Sequence, residues 1–167
     1  MKKPLVSIVM GSDSDWESVK KASVALDSFG VAHEVRVISA HRTPDLAAEY
    51  SSSLQERGVK VLICAAGGAA HLAGVMAAHC TLPVIGIPVE GGALKGLDAL
   101  LATVQMPSGI PVATVAVGSA GATNAAVLAV QILAVSSASL SKKLGAYKKE
   151  LAAKVEAANA RIQQQIK

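Results

Sequence analysis

The sequence predicts an α/β domain: a parallel β-sheet covered by helices on both faces, followed by one long helix. Three observations lead there. Short apolar runs alternate with helix-period segments from about residue 5 to 136. The stretches 61–89 and 110–141 contain no Lys, Arg, Asp or Glu, as strands and helices buried on all sides require. After residue 139 the pattern changes to a polar helix with a single apolar stripe.

Leu5 to Met10 reads as the first strand, ended by Gly11-Ser12-Asp13-Ser14-Asp15. Trp16, Val19, Ala22, Leu26 and Phe29 recur at helical spacing, and Gly30 supplies the stop. His33 to Ile38 alternates like a second strand. Thr43-Pro44 opens the next helix, with proline at its first position, and Gly58 follows its end. Val61 to Ala66 is a third strand, Gly67-Gly68 a turn, and Ala70 to His79 a short helix. Leu82 to Val89 is a fourth strand, with Pro83 and Pro88 near its ends. A helix over Leu94 to Thr103, a strand over Pro111 to Val117 and a buried helix over Asn124 to Ser136 complete the alternation. Right-handed βαβ units in this order make a parallel sheet whose ligands bind at the carboxyl ends of the strands.

Residues 1–138 are therefore expected to form the α/β domain and 139–167 a C-terminal helix. Leu140, Leu144, Tyr147, Leu151, Val155, Ala158 and Ile162 line one face of that helix. With the preceding domain already closed, such a stripe is expected to pack on neighbouring subunits.

Composition narrows the function classes. The 167 residues are 51% hydrophobic but only 2% aromatic, so Ala, Val, Leu and Ile must build the core. The net charge of +4 raises the question of nucleic acid. Seven of the Lys and Arg residues follow residue 140, interleaved with Glu150 and Glu156, which reads as a solvated helix face. So few aromatics leave no stacking platform for bases. A membrane span needs about 20 continuous apolar residues, and glycines, prolines and polar residues interrupt both uncharged stretches first. Cys64 and Cys80 have no metal-ligand spacing and make no disulfide framework, and no leader segment is visible, so a cytoplasmic protein is expected.

The chemistry-bearing residues cluster at the predicted strand ends. At the first, free N–H groups and the hydroxyls of Ser12 and Ser14 suit an anion, while Asp15 suits sugar hydroxyls or helix capping. At the second, Ser39-Ala40-His41-Arg42-Thr43-Pro44 packs a hydroxyl, an imidazole and a guanidinium into one turn. Arg42 fits phosphate or carboxylate, and His41 can both give and take a proton near neutrality. At the third, Gly67-Gly68-Ala69-Ala70-His71-Leu72 leaves room for a ligand ring against the backbone. His71 reads as a second polar group at the pocket or as a capping residue; His33 and His79 read as structural. There is no phosphate-binding Walker loop, no G-x-G-x-x-G fingerprint, and no metal-ligand grouping. A response regulator would need an aspartate where the third strand ends in Ala-Gly-Gly, and a flavodoxin would need aromatics in these loops.

Taken together, VMGSDSDW (9–16), SAHRTP (39–44), AAGGAAHLAG (65–74), LPVIGIPV (82–89), GLDALL (96–101), VQMPSGIPVATVAVG (104–118) and NAAVLAVQIL (124–133) resemble the class I N5-carboxyaminoimidazole ribonucleotide mutases, the PurE family. The resemblance implies a three-layer flavodoxin-like domain, a homo-octamer, a ribonucleotide substrate and no metal, ATP or biotin. It implies phosphate ligation by Ser14, Ser39 and Arg42, ribose-hydroxyl contact by Asp15, and general acid/base chemistry by His41. Ser12 and the loop Gly68, Ala69, Ala70, His71 and Leu72 would surround the transferred carboxylate. Ala73 stands where many relatives have proline, and Glu90-Gly91-Gly92 replaces a segment with Gln or Ser. Two other functions fit the same fold: a non-catalytic nucleotide-binding module, and a carboxylase using free CO2, whose class II members carry Lys after the His and lack the Ala-Ala-His loop.

Overall fold

The computed structural model describes residues 3–166. Strands β1 (Val6–Met10), β2 (His33–Val37), β3 (Val61–Ala66), β4 (Val84–Pro88) and β5 (Ala113–Thr114) form one parallel sheet in the order β2-β1-β3-β4-β5. This is the flavodoxin-like order, with its switch point between β1 and β3. Helices α1 (Trp16–Phe29), α2 (Pro44–Ser53), α3 (Leu72–His79), α4 (Leu97–Val104), α5 (Gly118–Ala134) and α6 (Ala138–Gln165) connect or follow the strands.

Burial follows strand position. Every residue of the central β1 and β4 is buried, whereas β2, at the edge, is half-buried or exposed throughout. Ile8, Leu62, Ile63 and Ile85 are completely covered. Cys64 is among these core residues, and burial pushes its thiol far above the ordinary range, leaving no reactive thiolate.

One polar group is also fully buried in the sheet. Ser7 lies 2.7 Å from Tyr50 Oη, and Tyr50 donates to Glu34 Oε1 at 2.7 Å, so the serine hydroxyl is the donor to the tyrosine. Arg57 Nη2 donates to both Glu34 oxygens at 2.6 Å, and its guanidinium stacks over the Tyr50 ring. The chain satisfies Ser7, whose neighbour in β2 is Glu34 itself.

Several element boundaries differ from the expected ones, each for a local reason. Lys95 and Gly96 take left-handed φ values of 50° and 89°, so α4 begins at Leu97 rather than Leu94. The 68–71 segment is spent on two tight turns, Ala70 N–H to Gly68 O and His71 N–H to Ala69 O, which delays α3 to Leu72. The expected strand over 111–117 is reduced to two residues at the sheet edge. The helix expected at Asn124 starts six residues earlier, at Gly118. Gly118 takes a left-handed φ of 71°, and Gly121 is required by close packing: a Cβ there would lie 1.7 Å from the Ala116 carbonyl oxygen.

His33 has partners the sequence did not disclose. Its Nδ1 is 3.1 Å from the Val31 carbonyl and its Nε2 is 2.7 Å from Ser23 Oγ. The carbonyl can only accept, so Nδ1 carries a proton and donates to it.

The contacts separate a unit that runs to Ala129 from one that begins at Val130. Within the second, Ser137 Oγ caps α6 by accepting from Leu140 N–H. No residue of α6 is buried, and Leu151, Val155 and Ile162 are exposed along it. Among the described residues, no helix is long and apolar enough to cross a membrane.

Candidate active site

The carboxyl ends of β1, β2 and β3 face a cavity of about 490 Å3. At the β1 end, Ser12 Oγ accepts from Ser14 N–H at 3.3 Å and from the Ser14 hydroxyl at 2.8 Å, then donates to Asp13. This closes a single 3-10 turn over Asp13–Asp15 that leads into α1. Asp15 stands at the N-cap position of α1 but makes no side-chain capping bond. Its half-buried carboxyl borders the cavity. Burial raises its pKa above the ordinary carboxylate value, and the charge of Asp13 adds to that, against a lowering backbone bond at Ser12.

At the β2 end the turn is tied to itself. Thr43 Oγ1 accepts from Ser39 N–H and donates to Ser39 O, and Pro44 then starts α2. Ser39 Oγ accepts from both the backbone N–H and the Nε of Arg42. Arg42 Nη2 reaches across to donate to the Gly11 carbonyl at 3.0 Å. The guanidinium is thereby held between the β1 and β2 turns, its side chain still exposed. Arg42, Ser39, Ser12 and Gly11 also border a smaller space of about 250 Å3, walled by Val37 and Leu46.

At the β3 end, Gly68 adopts φ 59°, a conformation glycine reaches without strain. The tight turns that follow present His71 at the start of α3. His71 makes no side-chain capping bond. Its Nδ1 lies 2.8 Å from His41 Nε2, and the two rings meet edge to face at 85°. His71 thus borders the cavity.

The cavity gathers Ser12, Asp15, Ser39, His41, Arg42, Ala69, His71 and Leu72. Ser14, Gly68 and Ala70 do not line it: Ser14 is turned to Ser12, Gly68 is exposed at the tip of the turn, and Ala70 is buried. Gly11, Ala40, Ala66 and Gly67 line it without having been singled out as ligands. Their contribution is backbone surface, and their position beside each marked motif was the available signal. Among the described residues, no group of three or more His, Cys, Asp or Glu side chains could hold a metal ion.

The His41–His71 pair can serve either protonation state of His41. When His41 is an imidazolium, its Nε2–H donates to the bare Nδ1 of His71. When His41 Nε2 is bare, the bond is kept by the other His71 tautomer, whose Nδ1–H donates after its ring proton has exchanged from Nε2.

Known proteins are similar to this chain over most of its length. An N5-carboxyaminoimidazole ribonucleotide mutase of Vibrio parahaemolyticus is 56% identical over 145 residues, covering 87% of this chain and 90% of the relative. One of Bacillus subtilis is 57% identical over 141 residues, covering 84% and 87%. The crystal structure of Treponema denticola PurE superposes with a TM-score of 0.82 at 29% identity, covering 95% of this chain and 98% of that one. The family model for AIR carboxylase matches residues 5–154, and the chain belongs to that family.

Proposed function

We propose that this chain is a mutase that converts N5-carboxyaminoimidazole ribonucleotide to 4-carboxy-5-aminoimidazole ribonucleotide in purine biosynthesis. The observation that carries the reading is the His41–His71 hydrogen bond at the cavity, with Arg42 anchored beside it. Relatives named for this activity support it.

In the proposed mechanism Ser39 and Arg42 bind the substrate phosphate, the Ser14 hydroxyl joins them by leaving Ser12, and Asp15 accepts from ribose hydroxyls. Ser12 and the Gly68–Leu72 loop surround the carboxylate. The carbamate N–C bond breaks, CO2 departs, and the nitrogen keeps the electron pair and takes a proton from His41. The imidazole C4 then attacks the retained CO2, forming the new C–C bond. His41 removes the C4 proton, restoring aromaticity and its own starting state. His71 holds the His41 ring through both states, and no metal, ATP or biotin takes part. The Ala-rich floor formed by Ala40, Ala66 and Ala69 leaves space for the ring and for CO2.

The enzyme works in the cytoplasm as a homo-octamer, with residues 1–138 forming the catalytic domain. The helix over 139–167 packs on neighbouring subunits, which would cover Leu151, Val155 and Ile162.

Ultraviolet absorbance of the product tests the reaction. The carbamate substrate should be converted rapidly without added bicarbonate, because CO2 released inside the site is present at high effective concentration. Aminoimidazole ribonucleotide should be carboxylated only at high CO2. Efficient carboxylation at low CO2 with no turnover of the carbamate would instead establish a carboxylase, and tight nucleotide binding without either reaction a binding module.

A further inference from the structure

We infer that Met106 is a positioning residue for the His41–His71 pair, acting through Gly74 and the first turn of α3. The inference rests on the proton-transfer role proposed above for His41.

α3 is a short helix, Leu72–His79, and His71 is the residue immediately before it. No side chain caps this end, because the His71 ring is committed to His41. The height of the first turn is therefore set by what packs against its sides. Two contacts do so. Ala73 faces β4 at Gly86, where a Cβ would come within 3.5 Å of the Ala73 Cβ. Gly86 itself has no room for a side chain, since that Cβ would lie 2.4 Å from Thr103 Cγ2 and 2.9 Å from Val112 Cγ1. The helix thus rests almost directly on the strand backbone.

On another side, Met106 takes the place a side chain at Gly74 would occupy. A Cβ there would be 2.9 Å from Met106 Sδ and 3.2 Å from its Cε. Gly74 is three residues beyond His71, so the two share a helix face one turn apart. Met106 is half-buried and follows α4 directly, in the segment that also carries Val112 to Gly86. An unbranched thioether fills a gap of this shape well. Removing it frees the first turn of α3 to settle, and His71 moves with it. The histidine bond tolerates little of that: it is 2.8 Å long, and alignment is lost within less than an ångström.

A double-mutant cycle tests the inference in the full-length enzyme. Met106→Ala should lower kcat by about tenfold, on the scale by which small misplacements act. KM should change less than kcat, since the phosphate-binding turns lie on β1 and β2 and only the Gly68–Leu72 loop moves with α3. The pH profile of kcat should move as well, which a loss of stability alone would not produce. Gly74→Ala should also lower kcat, because its methyl displaces the thioether. In the double variant the methyl refills the space left by Met106, so kcat should exceed that of either single variant, a coupling of opposite sign to additivity. Unchanged kcat and pH profile in Met106→Ala, or a double variant no better than the singles, would overturn the inference. If Met106→Ala fails to fold, Met106→Leu serves: it should fold, bind substrate normally and still shift the pH profile, and an unchanged profile counts against the idea. Side-chain 15N spectra of His41 and His71 give a readout free of turnover. Altered spectra in the Met106 variant uphold the positioning role even where wild-type enzyme proves inactive and the reading of His41 fails; identical spectra refute it.

Discussion

His41 Nε2 and His71 Nδ1 are 2.8 Å apart, although thirty positions separate the residues in the chain. The parallel order brings them together at one end of the sheet: one follows β2, the other β3, on either side of β1. Neither ring is held by a carboxylate hydrogen bond, so each is the other's orienting group.

The pair predicts different outcomes for its two members. His41→Asn should fold and bind nucleotide but lose turnover almost completely. His71→Asn should retain binding and lose about 10²-fold in kcat, the lower part of the range for positioned acid–base groups. Steady-state kinetics beside isothermal titration with product decides both. Near-normal turnover of His41→Asn would remove it from the mechanism.

Arg42→Ala should weaken binding of the nucleotide by about 1.5–3 kcal/mol, as expected for a lost bond to a charged group. The corresponding nucleoside, lacking phosphate, should bind wild type and variant alike. Titration of both ligands against both proteins makes the comparison. An equal loss for the nucleoside would mean that Arg42 acts through its bond to the Gly11 carbonyl instead.

Asp15 gives a pH-dependent trade between stability and binding. Its folded-state pKa is raised, so the folded protein holds the proton more tightly than the unfolded chain, and stability falls as pH rises through that interval. Asp15→Asn should therefore melt higher than wild type at pH 7. The difference should close as pH falls below 3.8, where the unfolded carboxyl is protonated too. Substrate binding at pH 7 should be weaker in the variant. Melting curves across pH would contradict this by showing the variant less stable at neutrality.

Tyr50→Phe removes the hydroxyl that joins buried Ser7 to Glu34. Ser7 then lacks an acceptor inside β1, at a cost of about 1–3 kcal/mol. Urea denaturation should show that loss, while kcat per folded enzyme stays unchanged because the network lies away from the cavity residues.

Removing the residues after Ser139 exposes whatever surface the helix covers in an assembly. The truncated chain should form smaller oligomers or lose solubility in light scattering. A well-behaved octamer of unchanged stoichiometry would show that the α6 stripe has no part in assembly.

Much of this is legible in the residues because strand ends in a parallel sheet carry their own punctuation. Gly30 ends α1 with φ 70°, and Pro44 begins α2 where proline at the first position fits. The site motifs were visible for the same reason, each sitting where a strand gives way to a helix. What misled were the glycines that interrupt the second uncharged stretch, since a glycine at 121 is what lets α5 start close against Ala116. A missing side chain looks the same in a sequence whether it ends a helix or admits a neighbour.

By itself, then, the sequence determined the parallel α/β order, the three loops that border the cavity and the residue types within them. These follow from periodicity and turn chemistry, which are local. Only the tertiary structure decided that β1 lies between β2 and β3, that Arg42 reaches the Gly11 carbonyl, and that His71 meets His41 instead of capping α3. Those relationships depend on strand order and on how closely Ala73, Gly74, Gly86 and Met106 let α3 approach, and such distances arise from packing between segments remote in sequence.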